Sequence, residues 1–211
     1  MPHTFQEATW SGDFGKEYTE RNTFDIEQLN ALYIKNYGVS REQMNSDFIG
    51  SFDRNIKILE VGTNSGNQLA LLQKMGFKNL YGIEINEHAV DLARKRLKGI
   101  NVIQGSAFDI PFKDNFFDLV YTAGVLIHIS KDDVNKVISE MHRCSKKYIW
   151  GFEYYSNDAK EVSYRGNTNL LWKADFSEVF RKSFPDLKLL KEVKYNYLNN
   201  DNVDVMYLME K

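Results

Sequence analysis

Ile58-Leu59-Glu60-Val61-Gly62-Thr63-Asn64-Ser65-Gly66 is the stretch whose reading decides the fold. Residues 56–61 form a short, mostly apolar run suited to a strand buried in a parallel sheet. Gly62 and Gly66 bracket a tight turn, and residues 68–75 have helical composition. The order is strand, glycine loop, helix. Such a loop lets backbone approach a ligand closely, because glycine lacks a Cβ and tolerates positive φ. Glu60 falls at the carboxyl edge of its strand, where open α/β sheets bind their ligands. Glu84 closes a second strand, residues 79–85, and is placed to accept hydrogen bonds from both hydroxyls of a ribose. These positions predict a nucleoside ligand.

The loop spacing narrows the choice. A dinucleotide loop runs Gly-x-Gly-x-x-Gly, whereas this one runs Glu60-x-Gly62-x-Asn64-x-Gly66. It resembles the Glu-x-Gly-x-Gly-x-Gly loop of class I S-adenosylmethionine-dependent methyltransferases. Asn64 replaces a glycine, and asparagine is the next best residue for left-handed backbone. Taken alone, the loop is equally an ordinary strand-to-helix turn. Three more segments extend the resemblance: Gly105-Ser106-Ala107-Phe108-Asp109-Ile110-Pro111-Phe112, Phe116-Phe117-Asp118-Leu119-Val120-Tyr121, and Ala123-Gly124-Val125-Leu126-Ile127-His128-Ile129.

The resemblance implies S-adenosylmethionine as cofactor, with the Ala107 amide meeting adenine N1. Ser106 stands where an aspartate often takes the exocyclic amine, and a hydroxyl accepts that bond more weakly. The expected cofactor set is Trp10, Tyr18, Arg21, Glu60, Gly62, Asn64, Gly66, Glu84, Ile85, Ser106, Ala107, Phe108, Thr122 and Ala123. A narrower resemblance rests on Trp10-Ser11-Gly12-Asp13-Phe14-Gly15-Lys16-Glu17-Tyr18-Thr19-Glu20-Arg21-Asn22, on Tyr164-Arg165-Gly166 and on Leu171-Trp172-Lys173-Ala174-Asp175-Phe176. These look like the methylases associated with pseudaminic acid biosynthesis. The resemblance implies a nonulosonic acid, or its nucleotide-activated or precursor form, as acceptor, methylated at oxygen in preference to nitrogen.

Composition agrees with an enzyme of this kind. The 211 residues predict one domain, large enough to bury its own core. The 27 basic and 29 acidic residues leave a formal charge of −2, which argues against a nucleic-acid partner. Cys144 is the only cysteine, so no internal disulfide can form, as suits a reducing compartment. No run has signal-peptide or membrane-spanning character. The sequence predicts a soluble, cytoplasmic protein with no membrane partner; its oligomeric state is left open.

The single domain divides into an N-terminal helical cap (1–50), a cofactor-binding core (51–152), an acceptor loop (153–175) and a C-terminal helix and hairpin (176–211). Residues 1–22 are poorly periodic and read as cap. A helix is expected to end at Gly38, and Ser40 with Gln43 predicts a capping box for the next one. Strands at 80–85, 101–104, 117–121 and 148–152 alternate with helices at 87–97 and 131–144. The fold expected is α/β: a doubly wound, mostly parallel seven-stranded sheet, Rossmann-like, with a terminal antiparallel hairpin from residues 187–197 and 203–209.

The stretch 153–175 lacks periodicity and carries Tyr154, Tyr155, Tyr164, Arg165 and Lys173, the expected acceptor-binding residues. A connection of this length in a compact domain is usually functional or mobile. His128 is the candidate general base, with a structural bond to a loop carbonyl as its alternative role. Glu153 reads as a second base or a loop-amide acceptor, and Arg165 as an anion clamp or a surface ion pair. His88 and His142 lie on predicted helices and His3 is terminal. Asp132 and Asp133 read as helix capping, and no cluster has metal-ligand spacing. Cys144 precedes Ser145 rather than proline, and no Asn/Asp-Pro-Pro-aromatic motif occurs, so two nucleic-acid methylating chemistries are disfavoured. Two rivals stay open: a nicotinamide oxidoreductase, disfavoured by loop spacing, and a cofactor-binding module without turnover. A different capsule or flagellar glycan precursor is the alternative acceptor.

Overall fold

The computed structural model describes residues 4–211; His3 lies outside them. Helices α1 (Phe5–Ser11), α2 (Asp13–Arg21), α3 (Ile26–Tyr37) and α4 (Arg41–Ile49) precede the first strand, β1 (Lys57–Val61). There follow α5 (Asn67–Lys74), β2 (Asn79–Glu84), α6 (Glu87–Arg96) and β3 (Asn101–Gln104). Next come β4 (Phe117–Ala123), a 3-10 turn (Leu126–His128), α7 (Val134–Cys144) and β5 (Ser145–Tyr154). The last elements are β6 (Lys160–Glu161), β7 (Trp172–Lys173), α8 (Phe176–Ser183), β8 (Lys188–Asn196) and β9 (Val203–Glu210). Seven strands make a mostly parallel sheet in the order β3-β2-β1-β4-β5-β9-β8, and β6 with β7 forms a separate antiparallel pair.

Two compact units divide the chain, one ending at Ala107 and the other beginning at Phe108. In the first, β1 pairs parallel with β2 from Lys57↔Asn79 to Val61↔Ile83, and β2 with β3 from Tyr81↔Asn101 to Glu84↔Gln104. Every residue of β1 except Lys57 is buried, as an apolar parallel strand requires. Parallel neighbours need crossovers, which α5 and α6 supply. The registers bring Val61, Glu84 and Gln104 to one edge, so the loops that follow them cluster there.

In the second unit β4 runs parallel to β5, and β9 lies antiparallel between β5 and β8. Val137, Ile138 and Met141 of α7 are buried, and each such side chain contributes roughly 1.5–3 kcal/mol of burial. The expected terminal hairpin is present as β8 and β9, closed by the Tyr197 amide donating to the Asn202 carbonyl at 3.0 Å.

Four local expectations change. Residues 4–21 fold into two helices, and α1 opens on a reciprocal Thr4–Glu7 capping box that the weak periodicity concealed. Ser40 does cap Gln43, but the Gln43 side-chain amide donates to Asp47 at 2.7 Å rather than back to the cap. Helix α7 begins at Val134, because residues 130–133 form a turn in which the Ser130 hydroxyl donates to Asp133 at 2.9 Å. Asp133 pairs with Lys136 at 2.8 Å and makes no capping bond with its side chain.

Candidate active site

In the first unit the glycine loop is fastened to the end of β2. The amides of Gly62 and Thr63 both donate to the Ile83 carbonyl, at 2.9 and 3.0 Å. Glu60 is buried and accepts the Thr63 hydroxyl at 2.7 Å. Asn64 adopts φ 49°, the left-handed conformation its type tolerates. Gly66 has φ 81°, a conformation that favours glycine, and a Cβ there would push on the end of the Leu97 side chain at 2.3 Å.

Glu84 organises the edge. One of its oxygens accepts the Asn64 amide and the other the Asn86 amide, both at 2.9 Å. Burial raises its pKa, opposed by these backbone donors. A carboxylate has about four lone-pair sites, so Glu84 keeps acceptor capacity toward a ribose beyond its backbone donors. The Asn64 side-chain oxygen is buried without a hydrogen-bond partner among the described residues. An unfilled buried acceptor and a carboxylate with acceptor capacity to spare, side by side at one strand edge, fit a nucleoside cofactor. Ile85 follows on this edge, its carbonyl accepting the Gln104 side chain at 3.2 Å. Gly105 is tied to the Glu84 carbonyl at 3.0 Å, and half-buried Ser106, Ala107 and Phe108 continue the chain.

Residues not singled out in the sequence hold this edge in place. Asn86 donates to the carbonyls of Trp10 and Gly12, each at 3.0 Å. Gly15 permits that approach, since a Cβ there would stand 1.9 Å from the Trp10 carbonyl oxygen. The Trp10 ring packs edge-on to Phe14 and Tyr18, with centroids 5.2 Å away in both cases. Arg96 donates to the Ser65 carbonyl at 2.7 Å and to Asn67 at 3.0 Å, bracing the loop from α6. The Ser106 hydroxyl donates to Glu7 of α1. Arg21 stands apart: it is exposed and paired with Glu17 on its own helix at 3.4 Å.

The second unit carries the acceptor candidates. Thr122 and Ala123 end β4 opposite Gly151 and Phe152. Glu153, 1% exposed at the end of β5, accepts the Val125 amide at 3.2 Å and the Ile127 amide at 3.4 Å. Burial pushes its pKa up to about 7 despite those donors. His128 is also buried, and its Nδ1 lies 2.7 Å from the Leu170 carbonyl. A carbonyl only accepts, so Nδ1 carries the proton and Nε2 the lone pair. Burial lowers the His128 pKa to about 4, which keeps the ring neutral at physiological pH. The structural bond weighed as its alternative role is therefore made. As a proton acceptor at neutral pH His128 is weak, since a general base works best with a pKa near the operating pH.

Tyr164 packs against His128 with its ring tilted by 52° and the centroids 5.4 Å apart. Arg165 is exposed, 6.0 Å from the Tyr164 ring, at the tip of a turn closed by reciprocal Tyr164–Asn167 backbone bonds. Arg165 and Gly166 both have positive φ, 50° and 78°, the pattern of a type I′ turn. A second group gathers Tyr154, its hydroxyl 3.4 Å from that of Tyr197, with Asp204 3.2 Å from the Tyr197 hydroxyl. Lys173 covers the Tyr154 ring at 4.9 Å, its pKa lowered by burial and by the nearby charge of Lys160. Tyr155 lies elsewhere, under Lys194 at 3.7 Å and bonded to Asn157. Cys144 is buried and its thiol is pushed up to about 11, unsuited to nucleophilic work.

A family model described as a methyltransferase domain matches residues 59–148. The chain is 24% identical over 226 residues to phosphoethanolamine N-methyltransferase of Plasmodium falciparum, covering 93% of this chain and 84% of that one. Its fold is similar to that of an S-adenosylmethionine-dependent methyltransferase from Aquifex aeolicus, with TM-score 0.60 and 19% identity over 89% of this chain and 99% of the other. It is also similar to the [4+2]-cyclase SpnF, with TM-score 0.68 and 12% identity, over 89% of this chain and 96% of that one. With the domain match added to the glycine loop and the sheet, the chain is an S-adenosylmethionine-dependent methyltransferase, and S-adenosylmethionine is its cofactor.

Proposed function

We propose that the chain methylates a small anionic, hydroxylated acceptor in the cytoplasm. The acceptor named is a nonulosonic acid of the pseudaminic type, or a nucleotide-activated or precursor form of it, taken at oxygen. The carrying observation is the contact chain from His128 through Tyr164 to Arg165, which links an exposed guanidinium to a buried neutral imidazole through one tyrosine ring. Arginine binds carboxylate and phosphate bidentately, so it suits the anionic part of such an acceptor. Lys173 adds a second cation on the short β7 strand.

In this reading Glu84 and Asn64 hold the ribose, Ser106 and Ala107 the adenine, and the glycine loop the methionine side of the nucleoside. When bound, the cofactor supplies a methyl group already activated on sulfonium. The protein's residues then chiefly align the acceptor. Positioning is worth roughly 7–11 kcal/mol, against about 10²–10⁴-fold for a general base. His128, with its pKa of about 4, orients an acceptor hydroxyl more than it removes a proton. Glu153, at about 7, is better matched to neutral pH but is committed to loop amides.

A second reading, methyl transfer to nitrogen, is favoured by the P. falciparum relative, which aligns along nearly the whole chain. Incubation with methyl-labelled cofactor and a panel of nonulosonic acids, nucleotide sugars and phosphorylated amines, read by mass spectrometry, separates the two. Label on a sugar hydroxyl supports the proposal. Label confined to an amine overturns it.

A further inference from the structure

Position 106 lacks the acid that the resembling segment often carries, yet a carboxyl group arrives there from elsewhere in the chain. Glu7, 5% exposed in the first turn of α1, receives the Ser106 hydroxyl on one oxygen and the Thr4 amide on the other, the latter at 3.1 Å. We propose that Glu7 reads the exocyclic amine of adenine in place of the missing acid, making α1 part of the cofactor site. This rests on the reading of residues 105–107 as the adenine segment.

Capping a helix explains only one of the two oxygens. In a capping box the glutamate takes the cap residue's amide, and glutamine serves equally. The second oxygen turns to Ser106, which brings the carboxylate to the segment assigned to adenine. A buried carboxylate is costly unless donors surround it, and an aromatic amine offers the kind of donor this position takes. Ser106 donates to Glu7, so the hydroxyl orients the carboxylate instead of competing with it. The other end of α1 is anchored on the ribose side. Asn86 donates its side chain to Trp10 and Gly12, while its own amide donates to Glu84. Both ends of α1 therefore hang on residues assigned to the nucleoside.

The experiment uses the full chain and two probes: S-adenosylhomocysteine, and its analogue without the 6-amino group, which keeps N1. Each is titrated calorimetrically against wild type, Glu7→Gln, Glu7→Ala, Ser106→Asp and the Glu7→Ala/Ser106→Asp pair. Wild type should bind the analogue at least tenfold more weakly, since a hydrogen bond to a charged group is lost. Glu7→Ala should bind both probes alike. The double variant, with an acid restored at 106, should discriminate again. Glu7→Gln keeps the helix cap and should fall between, so the idea stays testable if the alanine variant misfolds. A Glu7→Ala protein that weakens on both probes by one factor, beside a Glu7→Gln protein indistinguishable from wild type, makes Glu7 a cap and overturns the proposal. Discrimination altered by Ser106→Asp but untouched by Glu7→Ala also overturns it while leaving the adenine segment in place. A wild type that ignores the amine removes the segment reading itself, and the proposal with it.

Discussion

Glu84 and Glu153 are both buried carboxylates at strand ends, and the difference between them is what each accepts. Glu84 holds one amide on each oxygen with lone pairs to spare for a ribose. Glu84→Ala should weaken S-adenosylhomocysteine at least tenfold, because two hydroxyl contacts to a charged acceptor are worth about 1.5–3 kcal/mol each. Glu84→Gln is the gentler probe; calorimetric affinity unchanged in both variants would place the ribose elsewhere. Glu153 has its folded pKa raised from 4.5 to about 7. Its folded state holds the proton more tightly, so the stability it contributes is complete below about pH 4.5 and is lost as pH rises through 7. Glu153→Gln removes that titration. The melting temperature of the variant should gain on wild type between pH 5 and pH 8, and a difference flat in pH would contradict the assignment. Glu60, Asn64 and Glu84 were legible because they lie at fixed offsets around one loop. Glu7, Asn86 and Arg96 were not. Their local roles are a helix cap, a second cap and a basic last turn, and only the long-range bonds of the fold give them a further one.

At the scale of elements, β1 with its loop and α5, β2 and β3 emerged close to their expected bounds, since apolar runs and glycines mark them locally. The pair β6 and β7 did not. Two residues per strand leave no alternation to detect, and their pairing, Lys160↔Lys173 and Glu161↔Trp172, spans a long interval of sequence. Arg165 belongs to this element and occupies a left-handed position better suited to glycine. Arg165→Gly should therefore leave the melting temperature unchanged or raised. Acceptor KM should rise, or kcat/KM fall, by a factor of ten to several hundred, as loss of a bidentate contact worth roughly 1.5–3 kcal/mol requires. Arg165→Ala should show the same kinetic loss without the relief of strain, and Arg165→Lys should rescue only in part. Steady-state kinetics beside cofactor titration checks this. Cofactor affinity lost with acceptor kinetics intact would make the turn part of the nucleoside site instead.

For the whole molecule, the sheet order and alternating helices specify an architecture, and architecture alone does not specify a reaction. The likeness to both a methyltransferase and a [4+2]-cyclase makes that concrete. No helix among the described residues is long and apolar enough to cross a membrane. What selects the chemistry is the loop at the end of β1, with its spacing from Glu60 to Gly66 and its bond to Glu84. Side-by-side calorimetric titration with S-adenosylhomocysteine and with NAD tests this most directly. Saturable heat is expected from the sulfur nucleoside, diminished in Glu84→Ala, and none from NAD. Binding of NAD with no heat from S-adenosylhomocysteine would contradict it.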